Sequence, residues 1–202
     1  EAERTFAPVQ DWTVGGVDTL NVWFRGRPGS PVVSETVPGQ YRIGACSNDI
    51  WGTADSFFFY YKTLSGDGTI SAKVVALTGT TSNWAKAGVM VRESLDPAST
   101  YAIMFPTPDR RRAFQNRPAA GGNAVSAHSA AGAFTALPLW VRVERRGSTI
   151  TGYYSLDGKT WTRQPDTENT AADRSLNPQT IAMGGTVYVG LAVASNNFGA
   201  AT

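Results

Sequence analysis

Between Trp84 and Glu93 the chain alternates with a two-residue period. Ala85, Ala87, Val89 and Val91 fall on one side, and Trp84, Lys86, Gly88, Met90 and Arg92 on the other. That pattern predicts a strand with one face in a core and the other open. On the open side Lys86 and Arg92 stand roughly 20 Å apart at about 3.3 Å per residue, a long basic strip that suits an extended ligand.

The same reading runs along the rest of the chain. Leu20, Val22 and Phe24 alternate with Asn21, Trp23 and Arg25, a half-buried strand broken by the Gly and Pro residues from Gly26 to Pro31. Tyr41 to Ile43 is a short strand, residues 48–52 a loop, and Ser56 to Lys62 an aromatic strand. Gly66 to Gly68 turns into Thr69 to Leu77, an expected hairpin. Asp96 and Pro97 turn the central strand into Thr100 to Phe105, its expected partner. In Ala113 to Arg117, Phe114 facing the core leaves Gln115 and Arg117 on the open face. Residues 118–136, rich in Ala, Gly and Ser, are expected as loop. Leu139 to Arg145, Thr149 to Tyr154 and Trp161 to Arg163 form a meander, and Val187 to Val193 is the last clear strand. No segment has the period of a long amphipathic helix, and strands at about 8–12-residue spacing predict an all-β sandwich or barrel.

Composition narrows this further. With 42% hydrophobic and only 17% charged residues, and with Lys and Glu scarce, the chain of 202 residues suits strands and turns in one substantial domain. Residues 1–30 are expected as a strand pair packed on or preceding the sandwich, 31–39 as loop or linker, and 40–202 as the sandwich. A net charge of +2 gives no argument for nucleic acid, and the single Cys46 leaves no intrachain disulfide. No apolar run approaches the ~20 residues that span a bilayer, and residues 1–20 lack a signal-peptide pattern. No membrane partner and a monomer are expected.

Asp49 to Asp55, Leu64 to Ile70, Trp84 to Glu93, Tyr153 to Trp161 and Val187 to Val193, in that order, resemble the concanavalin A-like, laminin-G-like jelly-roll domains. They are most similar to bacterial extracellular modules related to the enolase-regulator protein of yeast. The resemblance covers residues 40–198. Residues 10–13 and 20–26 resemble a strand pair found just before such modules in large secreted bacterial proteins. It implies two antiparallel sheets packed face to face, one concave, an extracellular or cell-surface place, tethering to a larger secreted enzyme or surface protein, and in many members glycan binding on the concave sheet or its rim.

The candidate carbohydrate-binding residues are Lys86, Arg92, Gln115 and Arg117 on the open face, with Met90 beside them. Arg forks and Lys ammonium groups suit carboxylates or sulfates, and Gln suits hydroxyls. Trp51 and Asn196 join them at the rim, with Asn197 next in sequence; Tyr153, Tyr154 and Trp161 are further stacking candidates. Each has a plain structural alternative: a solvated strand face for the cations, a buried anchor for Trp51, core for Trp161. Ser155 to Trp161 resembles the structural Asp-box hairpin of sialidases but is one residue short. Asp49 and Asp55 could supply oxygens to a structural calcium, against a role in tight turns. No other cofactor is expected.

For catalysis little is present. The jelly-roll glucanases set paired acids on one strand so that they sit about 5 to 5.5 Å apart, and no such string occurs; His128 lies in the expected loop, without a lyase motif. The expected function is a non-catalytic module recognising a polysaccharide, uronic or sulfated, on its concave sheet. Two other classes stay open: a jelly-roll lyase or hydrolase, and a structural or protein-interaction sandwich.

Overall fold

The structure, a computed structural model, describes residues 17–23 and 32–196. In chain order its strands are β1 (Val17–Trp23), β2 (Val32–Val37), β3 (Gln40–Gly44), β4 (Phe58–Ser65), β5 (Gly68–Thr78), β6 (Lys86–Arg92) and β7 (Tyr101–Pro106). There follow β8 (Arg112–Arg117), β9 (Val125–His128), β10 (Leu139–Arg146), β11 (Thr149–Ser155), β12 (Thr162–Arg163), β13 (Gln179–Thr180) and β14 (Thr186–Ala194). They make two sheets. One runs β12-β11-β10-β5-β1-β3-β2 with β13 beside β11; the other, six-stranded, runs β4-β14-β6-β7-β8-β9.

The all-β, two-sheet sandwich stands as the sequence predicts, with differences in detail. β1 lies parallel to both neighbours, β3 and β5, whereas the remaining pairs are antiparallel. The segment 31–39, expected as loop, contains β2, which pairs with β3. The aromatic strand and Thr69 to Leu77 are not sheet neighbours: β4 pairs with β14, and β5 with β1 and β10. Within 118–136, expected as loop, β9 pairs with β8. The motif at residues 10–13 and Asn197 lie outside the described residues.

Alternation explains the main core. Ile70, Ala72 and Val74 of β5 and Leu139, Val141 and Val143 of β10 point inward from the larger sheet. They meet Val89 and Val91 of β6, Met104 of β7, Phe114 of β8 and Leu191 of β14. Each such Val or Leu contributes roughly 1.5–3 kcal/mol by leaving water. Packing is close where β11 crosses β8: a Cβ at Gly152 would lie 2.3 Å from the Phe114 ring, so only glycine fits.

The six-stranded sheet departs from a half-buried pattern. Every residue of β6, β7 and β8 is buried on both faces. Its inner face meets the other sheet. Its outer face holds a second, smaller core of Met90, Tyr101, Ile103, Phe105 and Ala113, flanked by Phe59 of β4 and roofed by Ile50 together with Trp51 and Phe57. The segment from Ser47 to Phe57 thus crosses the face that alternation assigns to solvent.

Candidate functional site

That crossing segment divides the outer face into a sealed half and an open half. In the sealed half, Arg92 and Arg117 are 1% and 0% exposed, so the open basic strip expected here is corrected: its cations are core residues. Arg117 donates through both terminal nitrogens to Asp55, Nη2 to Oδ1 at 2.6 Å and Nη1 to Oδ2 at 2.8 Å. It also donates to the carbonyl oxygens of Gly52 (3.0 Å) and Ser99 (3.1 Å), and its guanidinium lies 4.9 Å from the Tyr101 ring centre. Arg92 donates to Asp55 Oδ2 at 3.4 Å and to the carbonyl oxygens of Ser94 and Asp96, with its guanidinium over Phe57. Gly52, at φ +61°, allows the tight turn that brings its carbonyl onto Arg117. These two arginines fasten the segment and do not border the cavity in the open half.

The same bonds bear on calcium. Asp55 is spent on two guanidiniums and Asp49 on the Lys86 ammonium, so neither of the two candidate ligands is free to face a metal with the other. Among the described residues no group of three or more His, Cys, Asp or Glu side chains converges. Asp55 and Asp49 hold the crossing segment to the sheet.

The open half is a cavity of about 300 Å³, at the small end of ligand sites. Lys86 and Gln115 lie on its sheet side, while Asp49 and Trp51 come from the crossing segment. Trp84 and Asn196 border it where β6 begins and β14 ends. Ser126 and His128 of β9, with Asp173, complete it. Four of the six candidate residues, Lys86, Gln115, Trp51 and Asn196, therefore meet in one place, while Arg92 and Arg117 do not.

Local chemistry places each group. Gln115 Nε2 donates to the Ile50 carbonyl and to Tyr101 Oη, both at 2.5 Å, which fixes it beneath the crossing segment. Burial pushes the Lys86 ammonium below its ordinary value, with Asp49 pulling it back up. Asn196, at φ +54°, accepts from Ser82 Oγ at 2.9 Å through Oδ1. Trp84 is braced from two sides: the Arg111 guanidinium lies 4.8 Å from its ring centre, and His128 meets it edge-on at 5.2 Å. His128, expected in a solvated loop, is a strand residue of the cavity wall. Its imidazole is held below the usual histidine value by burial and by Arg111, against the pull of Asp173, Asp109 and Glu168.

Two polar atoms of this wall lack partners: Ser126 Oγ and His128 Nδ1 are buried with no hydrogen bond. They stand two residues apart on one strand, so both side chains face the same way. An unpartnered buried polar atom costs about 1–3 kcal/mol, a cost that any hydrogen-bonding group placed against it would offset. Sequence reading missed Trp84 as a wall and Ser126 and Asp173 altogether, and assigned His128 to a solvated loop; the alternation of Ser126 and His128 beside the Gln115 strand was the available signal. The remaining stacking candidates lie elsewhere. Tyr153 and Trp161 belong to the larger sheet's far side, where Trp161, expected in the core, is half-buried beneath Arg142. Tyr154 is likewise half-buried, with Arg112 4.3 Å from its ring centre.

Fold and site together define a β-sandwich with one roofed sheet and a small aromatic-walled polar cavity at the roof's edge. No family model matches the chain, and no curated protein matches it. Among solved structures it is similar to a functionally unknown protein from Saccharomyces cerevisiae, at TM-score 0.53 and 18% identity over 74% of this chain and 75% of that one. That likeness is one of fold. A mutant of the GH43 protein BlXynB from Bacillus licheniformis aligns at TM-score 0.41 and 11% identity over 76% of this chain, which spans 29% of that protein's length.

Proposed function

We propose that this chain is a non-catalytic glycan-binding module whose site is the cavity between Trp51, Trp84 and β9. The observation that carries the reading is the pair of unpartnered atoms, Ser126 Oγ and His128 Nδ1, in a cavity with two indoles on its wall. A sugar ring offers both complements: hydroxyls that donate and accept, and a C–H face that packs on indole. The small volume favours the end of a saccharide chain over its middle.

The preference for anionic glycans loses its support at this site. Lys86 is engaged by Asp49, Arg92 and Arg117 by Asp55, and the cavity sets one lysine against two aspartates. A neutral, hydroxyl-rich residue is the ligand that fits. As a shallow single site it binds in the micromolar to millimolar range, roughly −8 to −4 kcal/mol. Outside the cell, on a larger secreted or surface protein, tethering supplies avidity.

Glycan titration followed by tryptophan fluorescence tests this, with Ser126→Ala and Asn196→Ala beside the native chain. Saturable binding of a neutral oligosaccharide, weakened about tenfold or more in both variants with folding unchanged, supports the site. Binding indifferent to both substitutions, or no glycan binding at all, returns the chain to the structural or protein-interaction class. Release of new reducing or unsaturated ends from the bound glycan makes it an enzyme.

A further inference from the structure

We propose that the outer face of the larger sheet carries a second, separate site for an extended carboxylated polysaccharide, built from Lys73, Arg142 and Arg163 with Trp140 and Trp161. The proposal stands apart from the cavity, which lies on the other sheet. Because Leu139, Val141 and Val143 turn into the core, Trp140, Arg142 and Glu144 point outward; Lys73, between buried Ala72 and Val74, does the same. Register sets Trp140 opposite Lys73, Arg142 opposite Tyr153, and Tyr153 opposite Arg163. At about 4.8 Å per strand and about 3.3 Å per residue, the three cations recur roughly every 8–10 Å across the sheet.

Two of these cations rest on rings. Lys73 Nζ lies 5.8 Å from the Trp140 ring centre, and the Arg142 guanidinium 3.6 Å from that of Trp161. Among the described residues none of the three pairs with a carboxylate, in contrast to the cations roofed over on the other sheet. Arg142 Nε is buried with no partner. Glu144, two residues along β10 from Arg142 and on the same face, is taken up by Arg146 at 2.6 Å and by the Tyr153 hydroxyl at 3.1 Å. Burial pushes the Arg142 guanidinium below its ordinary value, with Glu144 pulling back, and an incoming carboxylate relieves that cost.

Charge selects a polyanion, and the indoles select one made of sugar rings, whose C–H faces pack on aromatic surface while their carboxylates meet guanidinium and ammonium. Three cations around a carboxylate are few for a nucleic acid, whose affinity comes from neutralising many phosphates.

Affinity electrophoresis of the full chain through polygalacturonate, with dextran as the neutral control, tests the proposal. Retardation by polygalacturonate is expected to fade between about 0.01 M and about 1 M salt, as the screening length falls from roughly 30 Å to roughly 3 Å. The double variant Lys73→Glu, Arg163→Glu should bind about tenfold or more weakly at an unchanged unfolding midpoint. Arg142→Lys, which keeps the charge but not the fork, should give an intermediate loss. The proposal is overturned by absence of retardation at low salt, by retardation unchanged in the double variant, or by retention on a thymidine oligonucleotide equal to that on polygalacturonate.

Discussion

Arg117 grips Asp55 with a two-point fork, Nη2 to Oδ1 at 2.6 Å and Nη1 to Oδ2 at 2.8 Å, and neither side chain is exposed to solvent. The bond joins residues 62 apart in sequence and fixes the roof over the six-stranded sheet. Breaking one partner of such a pair leaves a charge stranded in low dielectric. Asp55→Ala, which strands both Arg117 and Arg92, is expected to cost about 3–5 kcal/mol in urea unfolding. A loss below about 1 kcal/mol would mean that water reaches the guanidiniums and that the roof opens readily.

Gly152 has no room for a side chain, since a Cβ there would meet Phe114 at 2.3 Å and Phe114 is fully buried. Gly152→Ala should destabilise by about 1–3 kcal/mol through overpacking between the sheets. Combining it with Phe114→Leu should recover part of the loss, because the new methyl group then finds space. A double-mutant cycle by chemical denaturation measures that coupling.

His128 sets a pH dependence. Its folded pKa lies below the unfolded value, with burial the main cause, Arg111 acting in the same direction and Asp173, Asp109 and Glu168 opposing. Below the unfolded pKa, near 6.5, the unfolded chain binds the proton more readily than the native one. Stability from this group is therefore complete above that value, declines as pH falls, and levels off below the folded pKa. The difference in unfolding midpoint between native chain and His128→Gln should follow this curve between about pH 8 and about pH 5, where the carboxylates largely cancel. A flat difference would show that the imidazole reaches water.

Arg111 braces Trp84 from outside the cavity while paired with Asp109. Arg111→Ala should cost about 0.5–1 kcal/mol of stability and, by freeing the indole, weaken saccharide binding several-fold. Unfolding and glycan titration on the same variant separate the two effects. Affinity lost with no change in stability would point to direct contact between Arg111 and the sugar.

Period-two alternation determined most of the fold. In β6, β8, β10, β11 and β14 it placed Val89, Phe114, Val141, Ile150 and Leu191 in the core, because a pleated strand turns successive side chains to opposite faces whatever the tertiary context. It also brought Lys86 and Gln115 to one face. Which strands became neighbours, and what lies over the second face, was not legible. Polar residues at alternate positions read as solvent-facing, yet Lys86, Arg92, Gln115 and Arg117 are buried because the segment around Asp49, Trp51 and Asp55 folds back across the sheet. Within a local window, a charged side chain in water and one neutralised by a distant carboxylate look alike. Only chain packing brought Asp55 to Arg117 and Asp49 to Lys86, and with them the boundary between sealed face and open cavity.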